Sequence, residues 1–212
     1  MKKKLFIFDM DGTLVDSSRT IANSINHVRK NLNLDSMEQS VIIEKINDTT
    51  INPAEYFYGH TDFEPEHEKW FSEYYSQNHE KEIRVYDGIY EMLIELKARG
   101  AKLAVATNAY RVSALESLGY LNLRELFDVI VCADDVRKAK PYPDMLYHTL
   151  TKLDITNTES IFIGDGPRDE DAAEAAYMDY IMVDWGFTEH AIDMKVISDT
   201  SELKKVLLDC IE

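Results

Sequence analysis

Five short apolar runs, each about one buried strand long, constrain this chain more than any other feature. They are Leu5 to Phe8, Leu103 to Ala106, Val129 to Ala133, Ile161 to Gly164 and Tyr180 to Val183, with a weaker sixth at Lys195 to Ile197. Rich in β-branched and aromatic residues, they read as buried strands. Between them the period changes: Ile89, Met92, Leu93 and Leu96 fall at i, i+3, i+4 and i+7, and Leu146, Leu150 and Leu153 follow the same helical logic. Gly100 after Arg99 and Gly119 after Leu118 are expected to stop helices. Strands alternating with helices predict an α/β fold: a doubly wound parallel sheet with right-handed crossovers and helices on both faces.

One interval breaks the rhythm. From about 17 to 86 there is no convincing strand, only helical patterns: Ile21, Ile25, Val28 and Leu32, then His67, Trp70, Phe71 and Tyr74. The expected organisation is a discontinuous core, 1–16 and 87–212, with an inserted α-helical subdomain at 17–86. Trp70, Phe71, Tyr74 and Tyr75 read as the small core of that insert. His60 and His67 read as surface residues, since no metal-type spacing joins them.

The formal net charge of -16 is spread along the chain and disfavours nucleic acid as a partner. An anionic substrate would need local positive charge from a metal ion, a lysine or a helix N-terminus. Met1 to Phe8 imitates the start of a signal peptide, but the apolar run stops at Asp9, short of the roughly 7 to 15 residues such a core needs. No apolar segment approaches the roughly 20 residues that span a bilayer, so no membrane partner is expected. The only cysteines, Cys132 and Cys210, have no metal-type spacing, and the expected setting is a reducing cytoplasm.

In an open parallel sheet, ligands bind beyond the carboxyl ends of the strands. Asp9 and Asp11 follow the first predicted strand, Thr107 and Asn108 the second, Lys140 comes shortly after the third, and Asp165 with Asp169 follow the fourth. Singly these signals are weak: 39 of 212 residues are acidic, so an Asp-x-Asp pair arises by chance, and a strand-end Thr-Asn also caps helices. Their coincidence on successive strand ends is the informative observation.

With these pieces in order, the chain resembles the haloacid dehalogenase superfamily, in its phosphatase branch with a helical cap after the first strand. The matching motifs are Asp9-Met10-Asp11-Gly12-Thr13-Leu14-Val15-Asp16-Ser17, Ala106-Thr107-Asn108, Lys140-Pro141-Tyr142-Pro143-Asp144 and Gly164-Asp165-Gly166-Pro167-Arg168-Asp169, the last followed by an Ala-rich stretch. The first and last are highly specific; the middle two carry weight beside them.

The resemblance implies a Rossmann-like core and roles for its residues. Asp9 is the nucleophile that forms an aspartyl-phosphate, and Asp11 is the general acid and base. Two carboxylates beside a phosphate dianion require an oxygen-loving divalent cation, Mg²⁺ fitting best. By resemblance it is held by Asp9, the backbone carbonyl of Asp11, Asp165 and Asp169, the last directly or through water. Thr107 and backbone N–H groups around Asn108 hold phosphate oxygens, and Lys140 neutralises developing charge. Lys138 is the rival for that role; Lys140 is preferred because it directly precedes Pro141 as in the family motif.

Two departures stand out. Gly166-Pro167-Arg168 supplies a rigid turn and an extra cation, and two readings stay open for Arg168: a substrate contact, or a surface arginine or one paired with Asp169 or Asp171. Tyr177 stands where relatives often have a helix-ending glycine; a left-handed turn is costly for tyrosine, so that helix end is expected to differ.

The implied function is Mg²⁺-dependent hydrolysis of a small soluble phosphate ester, phosphoglycolate being favoured by resemblance. Sugar phosphates and pyrophosphate fit the same core motifs, and a phosphomutase of the β-phosphoglucomutase type is the nearest rival. In the insert, the stretch Lys45 to Thr50 and the group Tyr56, Tyr58 and His60 are candidate substrate contacts, against solvated-loop and cap-core roles. Asp11 argues against dehalogenase chemistry. A catalytically silent binding protein on the same fold is the alternative from another class.

Overall fold

A computed structural model describes residues 2–46, 48, 50–186 and 196–211. Six strands form one parallel sheet: β1 (Leu5–Phe8), β4 (Lys102–Ala106), β5 (Val129–Val131), β6 (Ser160–Gly164), β7 (Asp179–Val183) and β8 (Val196–Ile197). Two further short strands, β2 (Val15–Asp16) and β3 (Arg84–Val85), pair with each other. The sheet order is β5-β4-β1-β6-β7-β8, so the chain runs outward from β1 on one side and then returns to build the other. That reversal is the topological switch at which open sheets place ligands.

β1 lies at the centre because all four of its side chains are fully buried, and burying each contributes about 1.5–3 kcal/mol. Leu5 and Ile7 join Ala104, Ala106 and Phe162 in a core with Met145 and Leu146 of α7 (Asp144–Leu153) and Ala172 and Ala173 of α8 (Pro167–Ala175). Phe8 stands opposite Val105 of β4 and Ile163 of β6. Asp9, Thr107 and Asp165 therefore leave the sheet at one edge. The ladder continues one step past the strands, with Asp9 N–H on the Ile163 carbonyl at 2.8 Å and Thr107 N–H on the Val131 carbonyl at 3.0 Å.

Contacts divide the chain into two compact units, residues 1–15 with 85–212, and residues 16–84. The second unit is built of α1 (Ser18–Asn31), α2 (Gln39–Ile46), α3 (Pro53–Tyr58) and α4 (Pro65–Glu82). Ile25 and Val28 of α1, Ile42 of α2 and Phe57 and Tyr58 of α3 form its core, with Trp70 and Phe71 packed against them. Asn52 caps α3 by accepting the N–H groups of Ala54 and Glu55 at 3.0 and 3.3 Å, with Pro53 in the first turn.

In the first unit, α5 (Ile89–Ala98) buries Ile89, Met92, Leu93 and Leu96, as their spacing predicts, and Gly100 follows it at φ +84°. Among the described residues no helix is long and apolar enough to cross a membrane.

Several expectations need correction. The run Val129 to Ala133 is a strand only to Val131; Cys132 then opens a 3₁₀ turn because the Asp135 carboxylate accepts its N–H at 2.8 Å. Lys195 lies outside the described residues, while Val196 and Ile197 pair with β7. Interval 17–86 is not free of strand, since β3 begins at Arg84. Gly119 lies inside α6 (Arg111–Tyr120) rather than ending it. The stop falls at Asn122, φ 57°, where Leu123 N–H returns to the Leu118 carbonyl at 2.9 Å. His67 is buried rather than on the surface; its Nδ1 accepts the Glu64 N–H at 3.2 Å and its ring lies 4.8 Å from that of Tyr58.

The end of α8 also departs from expectation. Tyr177 adopts the left-handed turn, φ 51°, that a glycine would occupy. Tyr177 N–H reaches the Glu174 carbonyl at 2.9 Å and Met178 N–H the Ala173 carbonyl at 3.0 Å, closing the helix and seating Met178 in the core. These gains outweigh a backbone cost of about 1–2 kcal/mol. The Tyr177 side chain is 84% exposed and contributes little packing. Tyr177→Gly is therefore expected to raise stability by about 1 kcal/mol, read as a higher urea midpoint; a lowered midpoint would show that the tyrosine side chain is itself stabilising.

Candidate active site

Asp9 follows the buried end of β1 and is only 7% exposed. Lys140, 6% exposed, places Nζ 2.6 Å from Asp9 Oδ1 and 2.6 Å from Asp169 Oδ1. The lysine brought to the carboxylates is thus Lys140; Lys138 instead holds its ammonium 4.1 Å over the Tyr142 ring. Asp169 sits in the first turn of α8, and its second oxygen accepts the Gly166 N–H at 3.2 Å.

Asp9, Asp165 and Asp169 each offer a carboxylate oxygen, and these oxygens lie within 4.8 Å of one another. The crowding requires glycines. A Cβ on Gly12 would stand 2.2 Å from Asp165 Oδ2, and one on Gly164 would stand 2.5 Å from the Asp169 Cβ.

Burial drives the carboxyls toward protonation. For Asp9 it raises the pKa against the opposing pull of the Lys140 ammonium, with the Asp11 charge adding to the rise. Asp165 is pushed well above the usual carboxylate range by burial and then by the charges of Asp9 and Asp169. Asp169 is pushed up to about 6 by burial, although Lys140 pulls it down. Burial alone would lower the Lys140 pKa, but Asp169 and Asp9 outweigh it and keep the ammonium charged.

One ammonium pairs with two buried carboxylates, Asp9 and Asp169, beside the half-buried Asp165, and every donor the trio offers is an oxygen. A hard divalent cation suits this set and a soft metal does not. The Asp11 carboxylate is not one of the trio. Asp11 lies on the turn after Asp9, bridged to Val15, with Gly12 N–H on the Val15 carbonyl at 2.9 Å.

Thr107 is buried and its Oγ1 accepts the Ala109 N–H at 3.1 Å. The Asn108 side chain is committed to Lys140: Nδ2 donates to the Lys140 carbonyl at 3.0 Å, and Oδ1 accepts the Lys140 N–H at 3.0 Å. Arg168 is half-buried and, among the described residues, is paired with neither Asp169 nor Asp171.

The candidates in the helical unit have other engagements. Lys45 is paired with Glu44 and Asp48 at 3.0 and 3.2 Å, Tyr58 is buried in the unit's core, Tyr56 is 39% exposed, and His60 lies 3.9 Å from Glu64. Within the stretch 45–50, Asn47 and Thr49 lie outside the described residues.

Three residues near the carboxylates escaped the sequence reading. Thr13 Oγ1 donates to Asp165 Oδ1 at 3.3 Å. The Trp185 indole N–H donates to the Thr13 carbonyl at 3.1 Å, and the Tyr180 hydroxyl donates to the Gly166 carbonyl at 3.3 Å. Trp185 was open to discovery, because it follows the fifth predicted strand at the same sheet edge.

Known proteins resemble this chain over most of its length. A phosphoglycolate phosphatase of Colwellia psychrerythraea is 29% identical over 195 residues, covering 88% of this chain and 86% of the relative. A pyrophosphatase PpaX of Halalkalibacterium halodurans is 31% identical over 173 residues, covering 80% and 78%. A crystal structure described as a predicted phosphoglycolate phosphatase from Haemophilus somnus superposes with a TM-score of 0.84 at 26% identity, covering 97% of this chain and 98% of that one. The model of the haloacid dehalogenase-like hydrolases matches residues 6–183, taking in Asp9, Thr107, Lys140 and the Asp165–Asp169 loop, and the chain belongs to that family.

Proposed function

We propose that this phosphatase is a Mg²⁺-dependent phosphomonoesterase acting through an aspartyl-phosphate on Asp9. The observation that carries the reading is the convergence of Asp9, Asp165 and Asp169 on one another around the Lys140 ammonium. Asp9 and Asp165, with the Asp11 backbone carbonyl, would hold the cation, and Asp169 would complete the shell directly or through water. When bound, the cation neutralises the carboxylates and the phosphate oxygens, so that the anions can approach.

Asp9 attacks phosphorus in line, and the bond to the leaving oxygen breaks. Asp11 gives that oxygen a proton and later takes one from the water that cleaves the aspartyl-phosphate. Lys140 stabilises charge on the phosphoryl oxygens, and Thr107 donates its hydroxyl to one of them. Asn108 contributes through backbone N–H groups near it. Residues 17–86 serve as a cap that encloses a small leaving group and excludes water. Phosphoglycolate is the favoured substrate, supported by the relative of that name at 29% identity; pyrophosphate is the second reading, supported by the relative named pyrophosphatase PpaX.

The test is phosphate release from phosphoglycolate, sugar phosphates, pyrophosphate and nucleotides, with Mg²⁺ and with EDTA. Metal-dependent preference for phosphoglycolate is expected; preference for pyrophosphate would install the second reading, and no release from any member would remove the phosphatase reading. Mg²⁺ at about 100 times its dissociation constant is expected to add about 2.7 kcal/mol to stability, a rise of about 5–10 °C in Tm for a chain of this size. A Tm unmoved by Mg²⁺ and by EDTA would take the cation out of the site.

A further inference from the structure

We propose that Trp185 is a positioning residue for the turn that carries Asp11, acting through the single hydrogen bond from its indole N–H to the Thr13 carbonyl. The inference rests on the phosphatase reading for its kinetic consequence and on geometry alone for its structural one.

The turn from Asp9 to Val15 is closed on itself by Leu14 N–H and Val15 N–H, both on the Met10 carbonyl at 2.9 Å, and by Gly12 N–H on Val15. These bonds shape the turn but do not anchor it to the rest of the sheet edge. Beyond Asp9 N–H on the Ile163 carbonyl and Tyr86 N–H on the Leu14 carbonyl, Thr13 provides two anchors. Its hydroxyl reaches Asp165 Oδ1 at 3.3 Å, and its carbonyl receives the Trp185 N–H at 3.1 Å. Thr13 itself is fully buried, so a carbonyl deprived of that donor has little access to water.

Trp185 is well placed to act as a fixed post. Asp184, just before it, is tied to β8 through its N–H on the Ile197 carbonyl at 3.0 Å and accepts the Gly186 N–H at 2.9 Å. The indole ring lies 5.6 Å from the ring of Tyr86, whose own N–H bonds the Leu14 carbonyl at 3.2 Å. Three segments far apart in sequence therefore meet at this turn, and Trp185 links them at Thr13, two residues from the Asp11 carboxyl group.

A proton donor misplaced by about 1 Å loses up to about 100-fold in rate. In the step that phosphorylates Asp9 the loss is selective: an alkyl phosphate has a basic leaving oxygen that needs the proton, whereas the 4-nitrophenolate of 4-nitrophenyl phosphate leaves as a stable anion and needs it little. A residue that merely supports the fold would affect both alike.

Trp185→Phe deletes the N–H while retaining an aromatic ring beside Tyr86. The expected result is a fall of about 10- to 100-fold in kcat/KM, which reports the steps up to departure of the leaving group, for a small alkyl phosphate and less than about 3-fold for 4-nitrophenyl phosphate, with Tm within a few degrees of the parent. Equal losses on both substrates, or none on either, would overturn the inference. Hydrogen exchange supplies a readout independent of activity: the amides of Gly12, Leu14 and Val15 are expected to exchange about 10-fold faster or more in Trp185→Phe. Unchanged exchange overturns the inference whatever the kinetics. Faster exchange in a protein whose parent releases no phosphate from any ester would support the anchoring role and reject the phosphatase reading instead.

Discussion

Asp9→Asn is expected to reduce phosphate release by about 10,000-fold or more while leaving the protein folded. The amide oxygen that replaces the carboxylate carries no full negative charge and does not form an acyl phosphate at a useful rate. Structure gives no reason for the variant to unfold. Lys140 still donates to an oxygen at that position, and one buried carboxylate whose burial disfavours its charge has been removed from beside Asp165 and Asp169. Phosphate release, melting temperature in EDTA and mass of the acid-quenched protein form the measurement. Release above about one per cent of the parent from a folded variant would remove Asp9 as nucleophile.

Gly12→Ala carries the second large effect. At φ +85° an L side chain is strained, and its Cβ would stand 2.2 Å from Asp165 Oδ2. Backbone strain of about 1–2 kcal/mol and forced displacement of about 1–3 kcal/mol together predict a loss of about 2–5 kcal/mol. Displacing Asp165 is also expected to raise the Mg²⁺ concentration for half-maximal activity by about 10-fold or more. Gly100→Ala is the matched control: it has φ +84° with nothing within 4 Å of its Cβ. It should show the strain alone and an unchanged metal requirement, and equal effects of the two substitutions would mean that Asp165 moves aside freely.

The central strands and the residues at their ends were legible because the relevant signals are local and physical. A four-residue apolar run at Leu5–Phe8 has few ways to be buried, and the sheet edge rule then brings Asp9, Thr107, Lys140, Asp165 and Asp169 into one region. What escaped depends on partners distant in the chain. Trp185 finds the Thr13 carbonyl across 172 residues, and the Asn108 side chain finds the Lys140 backbone across 32; neither spacing has a period that a sequence can display. Local arguments misled in two further places. His67 read as a surface residue because no metal-type spacing joins it to His60, yet the Glu64 N–H gives its ring nitrogen a partner inside the fold. Tyr177 looked unfit for a left-handed turn, but Met178 could be seated in the core only if the chain turned there.

The chain contains two tryptophans, and each belongs to a different compact unit: Trp70 to residues 16–84 and Trp185 to the remainder. Replacing either by phenylalanine leaves one indole as the fluorophore, so the emission of each variant reports on one unit. Coincident denaturation curves from the two variants would identify a single cooperative transition, and separated curves would give each unit its own midpoint. The molecule thus contains its own pair of optical probes, with no dye or label required.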